Sequence, residues 1–155
     1  MRHAGKVTTI EKAMNSSAPT IGAFNREKGK SFTEGLVMGW LAYLNSMLNL
    51  NKPMTDDQIE MCAVTITEEF YGLKMSDLTL LFKNIIEGKH GEFYESLSPA
   101  KVLSFFRQYF TDRCELAEQQ SLREHYDDKA KNDNLNFSSN VKRIYQTGAG
   151  GFNRK

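Results

Sequence analysis

Apolar positions recur at helical spacing over most of the first 116 residues, and strand-like alternation does not. The clearest stretch runs from Leu73 to Phe106. Leu78, Leu81, Phe82 and Ile85 repeat on one helical face, with Ser76 and Asp77 read as the helix start. Gly88 stands where a left-handed residue would end that helix. Ser98 and Pro99 open the next one, as N-cap and first helical residue, with Leu97 and Val102 spaced as a staple. Its apolar face continues through Leu103, Phe106, Tyr109, Phe110 and Leu116.

Upstream, Leu36, Val37, Trp40, Leu41, Leu44, Met47 and Leu48 form a wide stripe on a helix from about Thr33 to Leu48. Gly35 and Gly39 would let a neighbour approach it closely, and Asn49 to Pro53 stop it. Thr55 and Gln58 make a capping box, flanked by a Met54–Ile59 staple, with Asp56 and Asp57 where the helix dipole favours negative charge. Ile59, Cys62, Ala63, Ile66 and Phe70 are the buried face of that helix, and Gly72 its C-cap. Before Phe32, only Val7, Ile10 and Met14, then Ile21 and Phe24, hint at short helical turns. The stretch from 117 to 131 is helix-permissive but reads as polar all round, and the Asn, Ser and Gly content beyond it reads as disordered.

These patterns predict an all-α bundle of four to five helices with a polar C-terminal helical extension and flexible ends. A partly ordered N-terminal arm spans 1–31, a helical domain 32–131 and a flexible basic tail 132–155. At 155 residues and 40% hydrophobic the chain can build one core. No apolar run approaches the roughly 20 residues needed to span a bilayer. The N-terminus lacks the apolar segment of a secretory signal. Two cysteines, Cys62 and Cys114, do not make a disulfide framework, so a reduced, cytoplasmic setting is expected.

Charge is uneven although its sum is +1. Residues 1–32 carry six basic and two acidic groups, residues 33–97 four and ten, and residues 132–155 four and one. An acidic body with basic ends can fold its tails back, dock on a basic protein with its tails on nucleic acid, or simply stay solvated.

Chemistry-bearing motifs are few. His3, His90 and His125 form no i, i+4 pair and neither cysteine lies in a CxxC, so no metal site is expected. No phosphate-binding glycine loop or catalytic triad is indicated, and no cofactor is expected. The acid pairs Glu68–Glu69, Glu92–Glu95 and Asp127–Asp128 read as solvated rather than catalytic.

Two regions remain as contact candidates. In the GKHGEFYESL turn, Lys89 and His90 are either cations offered to a phosphate or acidic surface or merely wet, with Phe93 and Tyr94 either displayed beside them or anchored in the core. Phe105, Phe106, Tyr109 and Phe110 occupy more than one helix face, so Phe105 and Tyr109 are either central or covered by a protein partner. The tail interleaves Lys142, Arg143, Tyr145, Phe152, Arg154 and Lys155, a composition that suits single-stranded nucleic acid, a docking peptide or plain solvation.

The Trp40 helix with LNLNKPMTDDQI, then ITEEFYGLKMSDLTLLFKNIIEGKHGEFYESL, then a helix ending YFTDRCE resembles a family of small helical proteins of Bacteroidales phages and mobile elements. The resemblance covers roughly residues 32–125. More distantly, the helix–LKMSDL–helix junction resembles the N-terminal helical domains of phage helicase loaders. That likeness implies a non-enzymatic adaptor in phage or mobile-element DNA replication, with a replicative helicase or another phage protein as partner and DNA contact through the tail. The alternative is a virion or assembly component, located in the particle rather than the host cytoplasm.

Overall fold

A computed structural model describes the backbone of residues 7–48, 50–91 and 96–148, and side chains over the same stretches as far as 129, together with Lys131. Among the described residues six helices follow one another: α1 (Ile10–Met14), α2 (Ile21–Lys28), α3 (Lys30–Met47), α4 (Asp56–Glu69), α5 (Met75–Ile86) and α6 (Pro99–Gly148). The described residues contain no strand, only isolated bridges pairing Thr20 with Lys74 and Lys52 with Ser96. The all-α architecture read from the apolar spacing is the one found. The chain divides into two units, Met1–Cys114 and Glu115–Lys155.

In the first unit α3 packs on α2, α4 and α5, and α1 packs on α5. The core takes Val37, Leu41 and Leu44 from α3, Ile59, Cys62, Ala63 and Ile66 from α4, and Leu78, Leu81, Phe82 and Ile85 from α5. The start of α6 adds Val102, Phe105, Phe106 and Tyr109, at the i, i+3, i+4, i+7 spacing of a core-facing helix. A run of rings ties the helices together. Trp40 stacks on Phe82 at 5.4 Å between centroids, Phe82 meets Phe106 edge-on at 6.0 Å, and Phe106 lies 5.4 Å from Phe70. Such pairs contribute about 0.5–1.5 kcal/mol each beyond the area they bury.

Most helix boundaries follow their local signals. The Thr55–Gln58 capping box is closed in both directions, and Met54 and Ile59 are both buried behind it. Asn45 of α3 pins the next segment, accepting from the Met54 N–H at 3.1 Å and donating to its carbonyl at 2.8 Å. Gly88, at φ 74°, ends α5. The Lys89 N–H reaches the Asn84 carbonyl and the Gly88 N–H that of Ile85, both at 3.0 Å, which is the paired pattern of a Schellman turn. Ser98 caps α6 through its hydroxyl to the Lys101 N–H, with Leu97 and Val102 both buried.

Five expectations are corrected. Helix α5 begins at Met75, so Ser76 and Asp77 lie inside its first turn rather than before it. The Asp77 carboxylate accepts from the Lys74 N–H at 2.8 Å, doing the cap's work from the third position. Gly72 does not end α4, whose C-cap is Phe70. A Cβ on Gly35 or Gly39 would meet nothing within 4 Å; the close approach is at Gly22, whose Cβ would come within 3.3 Å of the Tyr71 carbonyl. The N-terminal arm, expected to be only partly ordered, is packed on the bundle from Ile10 onward, because Ala13 and Ile21 are fully buried and backbone bonds join Ile21 to Leu73, Gly22 to Tyr71 and Met75 to Pro19. Finally, the backbone stays helical from Asn132 to Gly148, where a flexible tail was expected. Neither proline nor glycine occurs between Pro99 and Gly148, so nothing in that stretch breaks a helix.

Candidate functional site

The densest polar cluster of the first unit lies where α1, α5 and α6 meet. Asp77 is fully buried. Besides the Lys74 N–H, it accepts from the Tyr109 hydroxyl at 2.8 Å and pairs with Arg113 Nε at 3.2 Å, an ion pair by distance without hydrogen-bond alignment. Burial, then the negative charge of Asp77, pushes the Tyr109 phenol well above its ordinary range, so it stays a donor. Next to it the Ser76 hydroxyl donates to the Ala13 carbonyl at 2.9 Å and lies 2.7 Å from the Ser16 hydroxyl. The Lys74 ammonium donates to the carbonyl of Met14, the last of α1, at 2.6 Å and to that of Ser16 just beyond the helix at 2.7 Å. Apart from Arg113 Nε, which is buried without an aligned acceptor, these groups are engaged with one another, and together they make a buried clamp.

Tyr109 therefore leaves the set of protein-contact candidates: it is 3% exposed and its hydroxyl is engaged inside. Phe105, 5% exposed, is likewise core. The His90 ring lies 4.9 Å from it, which fastens the turn to α6, and the Lys101 ammonium of the same helix lies 5.3 Å from the Phe105 centroid. His90 is half-buried, and burial lowers its pKa, with Lys101 and Lys89 adding to the effect against the opposing pull of Asp112. Lys89 is exposed but paired, to Glu87 at 3.0 Å and to the Asn84 side chain at 2.9 Å. Lys89 and His90 thus serve the turn's own geometry. Phe93 and Tyr94 lie outside the described residues, as do Phe152, Arg154 and Lys155. Lys142, Arg143 and Tyr145 lie on the α6 backbone, their side chains outside the described set.

Of the paired acids, Glu68 and Glu69 each meet a cation. Glu68 meets Lys30 at 2.6 Å, and Glu69 takes a two-pronged contact from Arg107 at 3.0 and 3.1 Å. Both are exposed pairs of small energetic weight. Among the described residues no three His, Cys, Asp or Glu side chains are grouped to hold a metal ion, and no helix is long and apolar enough to cross a membrane.

Apolar side chains on the surface are the remaining candidates. Phe32, Met61 and Tyr71 are more than half exposed on the first unit and Met47 49%, and Leu122 and Tyr126 are more than half exposed on the second. The last two were missed because residues 117–131 were read as polar all round. Their i, i+4 spacing was the available signal. The Asp77 clamp was also legible in part. Tyr109 and Arg113 stand i, i+4 on the face that continues the buried stripe, and a buried cation there requires a buried anion.

The fold and surface define an all-α protein with a buried polar clamp and an extended polar helix. Comparison with protein-family models, with curated proteins and with solved structures finds no match.

Proposed function

We propose that this chain is a non-enzymatic helical adaptor that works through protein–protein contacts. The observation that carries the reading is the contrast along α6, which is buried at Val102, Phe105, Phe106 and Tyr109 and exposed at every residue from 121 to 129. An exposed, mostly polar helix of this length is stabilised by what covers it rather than by its own propensity. Asp77, the buried acid among the described residues, is already engaged by Tyr109, Lys74 and Arg113.

The narrower form of the proposal places the adaptor in phage or mobile-element DNA replication, with a replicative helicase as partner. Its support is the resemblance to phage helicase-loader domains. In this form the basic and aromatic residues Lys142, Arg143, Tyr145, Phe152, Arg154 and Lys155 contact DNA by charge neutralisation and stacking. Affinity capture of the tagged full chain from nuclease-treated, element-bearing cells tests it. A helicase-like ATPase recovered in fixed ratio supports the reading. Recovery of the chain at constant copy number in purified particles, with no such ATPase captured, replaces it by a virion or assembly role.

A further inference from the structure

Positions 122, 126, 130, 133, 137, 141 and 144 follow one another along α6 in steps of four, four and three, repeated. An 11-residue period keeps such positions on one face of a nearly straight helix. The residues there are Leu122, Tyr126, Ala130, Asp133, Phe137, Val141 and Ile144, six of the seven apolar. Of the sixteen residues between them, fifteen are polar, Leu135 being the exception. This is a seam about 33 Å long, at 1.5 Å rise per residue. At its described end Leu122 is 58% and Tyr126 66% exposed.

Charge along the same helix changes sign. Residues 115–128 carry five acidic groups and one basic, and residues 129–148 four basic and one acidic. A helix with this reversal matches itself head to tail and opposes itself head to head. We propose that the occupant of the seam is a second copy of this chain, paired antiparallel along α6 about a two-fold axis between positions 133 and 134. That axis sets position 126 level with position 141 of the other copy and position 130 level with 137, an alanine with a phenylalanine. The one charged seam position, Asp133, meets Asp133 of the second copy across the axis, the two about 1.5 Å apart in height. A polar pair at such a point fixes register and orientation at some cost in stability. The proposal draws on the same exposed stretch of α6 as the adaptor reading but is tested separately, since it concerns the chain's pairing with itself and not its cellular partner.

Sedimentation equilibrium of the full chain should show a dimer that weakens several-fold as salt is raised, because opposed unlike charges are screened. Leu122→Asp should weaken it about a hundredfold or more, since both copies lose a buried leucine, while helix content by circular dichroism stays that of the parent. Orientation is read by cysteine cross-linking in a Cys114→Ser background. Tyr126→Cys mixed with Val141→Cys should form a disulfide-linked dimer, whereas Tyr126→Cys alone should not, its two copies lying about 22 Å apart. A monomer at every attainable concentration overturns the proposal, whether the seam stays bare or folds onto its own chain. A dimer indifferent to Leu122→Asp, or self-linking of Tyr126→Cys, overturns it equally.

Discussion

Asp77→Ala is the substitution that most directly probes the clamp of the first unit. It removes the acceptor for the Tyr109 hydroxyl and for the Lys74 N–H and leaves Arg113, 18% exposed at its side chain, without its counter-ion. At 3.2 Å and an effective dielectric of about 20 the Arg113–Asp77 attraction is about 5 kcal/mol, most of it offset by the desolvation of both ions. The net value of the intact pair is therefore small, but breaking it is not. A half-buried cation left behind, with two orphaned donors, should cost about 3–5 kcal/mol, a large part of a domain's usual 5–15 kcal/mol. Asp77→Asn keeps the shape and one acceptor, and should cost about 2 kcal/mol; Tyr109→Phe, which removes a single hydrogen bond, about 1 kcal/mol. Because the two share one bond, the Asp77→Asn/Tyr109→Phe double variant should lose less than the sum. Urea unfolding followed by Trp40 fluorescence is the assay, since the single tryptophan stacks on Phe82 within the first unit. If Asp77→Ala lowers stability by less than about 1 kcal/mol, the clamp contributes little and the reasoning fails.

Gly88→Ala should destabilise the first unit by about 1 kcal/mol, because φ 74° strains any residue with a Cβ; denaturant midpoints measure it. Lys74→Met removes two charge-assisted bonds to the end of α1, and amide exchange over residues 10–16 should accelerate with a stability loss of about 2 kcal/mol. Cys62 is buried, which pushes its thiol up to about 11, so a thiol reagent at neutral pH should label Cys114 first; equal rates would contradict the described burial. Tyr109 gains protons relative to the unfolded chain, so its contribution is intact below about pH 10 and is lost as pH rises further. Tyr109→Phe should therefore flatten the alkaline fall in stability, as followed by unfolding midpoints across that range.

Local physics made much of this protein legible before any tertiary contact is considered. Apolar spacing identified the cores of α3 to α5 and the start of α6, because burying one face requires a 3.6-residue period. Caps at Thr55, Gly88 and Ser98 act over three or four residues and so can be read from the chain. What tertiary structure alone decided were matters of long-range pairing. Asp77 looked like a helix-start acid and became the buried counter-ion of Arg113, a role set by residues over thirty positions away. Short helices α1 and α2 have too few apolar residues to hold themselves, and they are fixed by bonds to Tyr71, Leu73, Lys74 and Ser76. Tyr109 and Phe105 passed from candidate contacts to core because only the packed bundle determines which of several aromatic faces is covered. Beyond residue 116 the chain held its pattern in plain view, yet an 11-residue rhythm of single apolar positions becomes a face only once the backbone is known to be one unbroken helix.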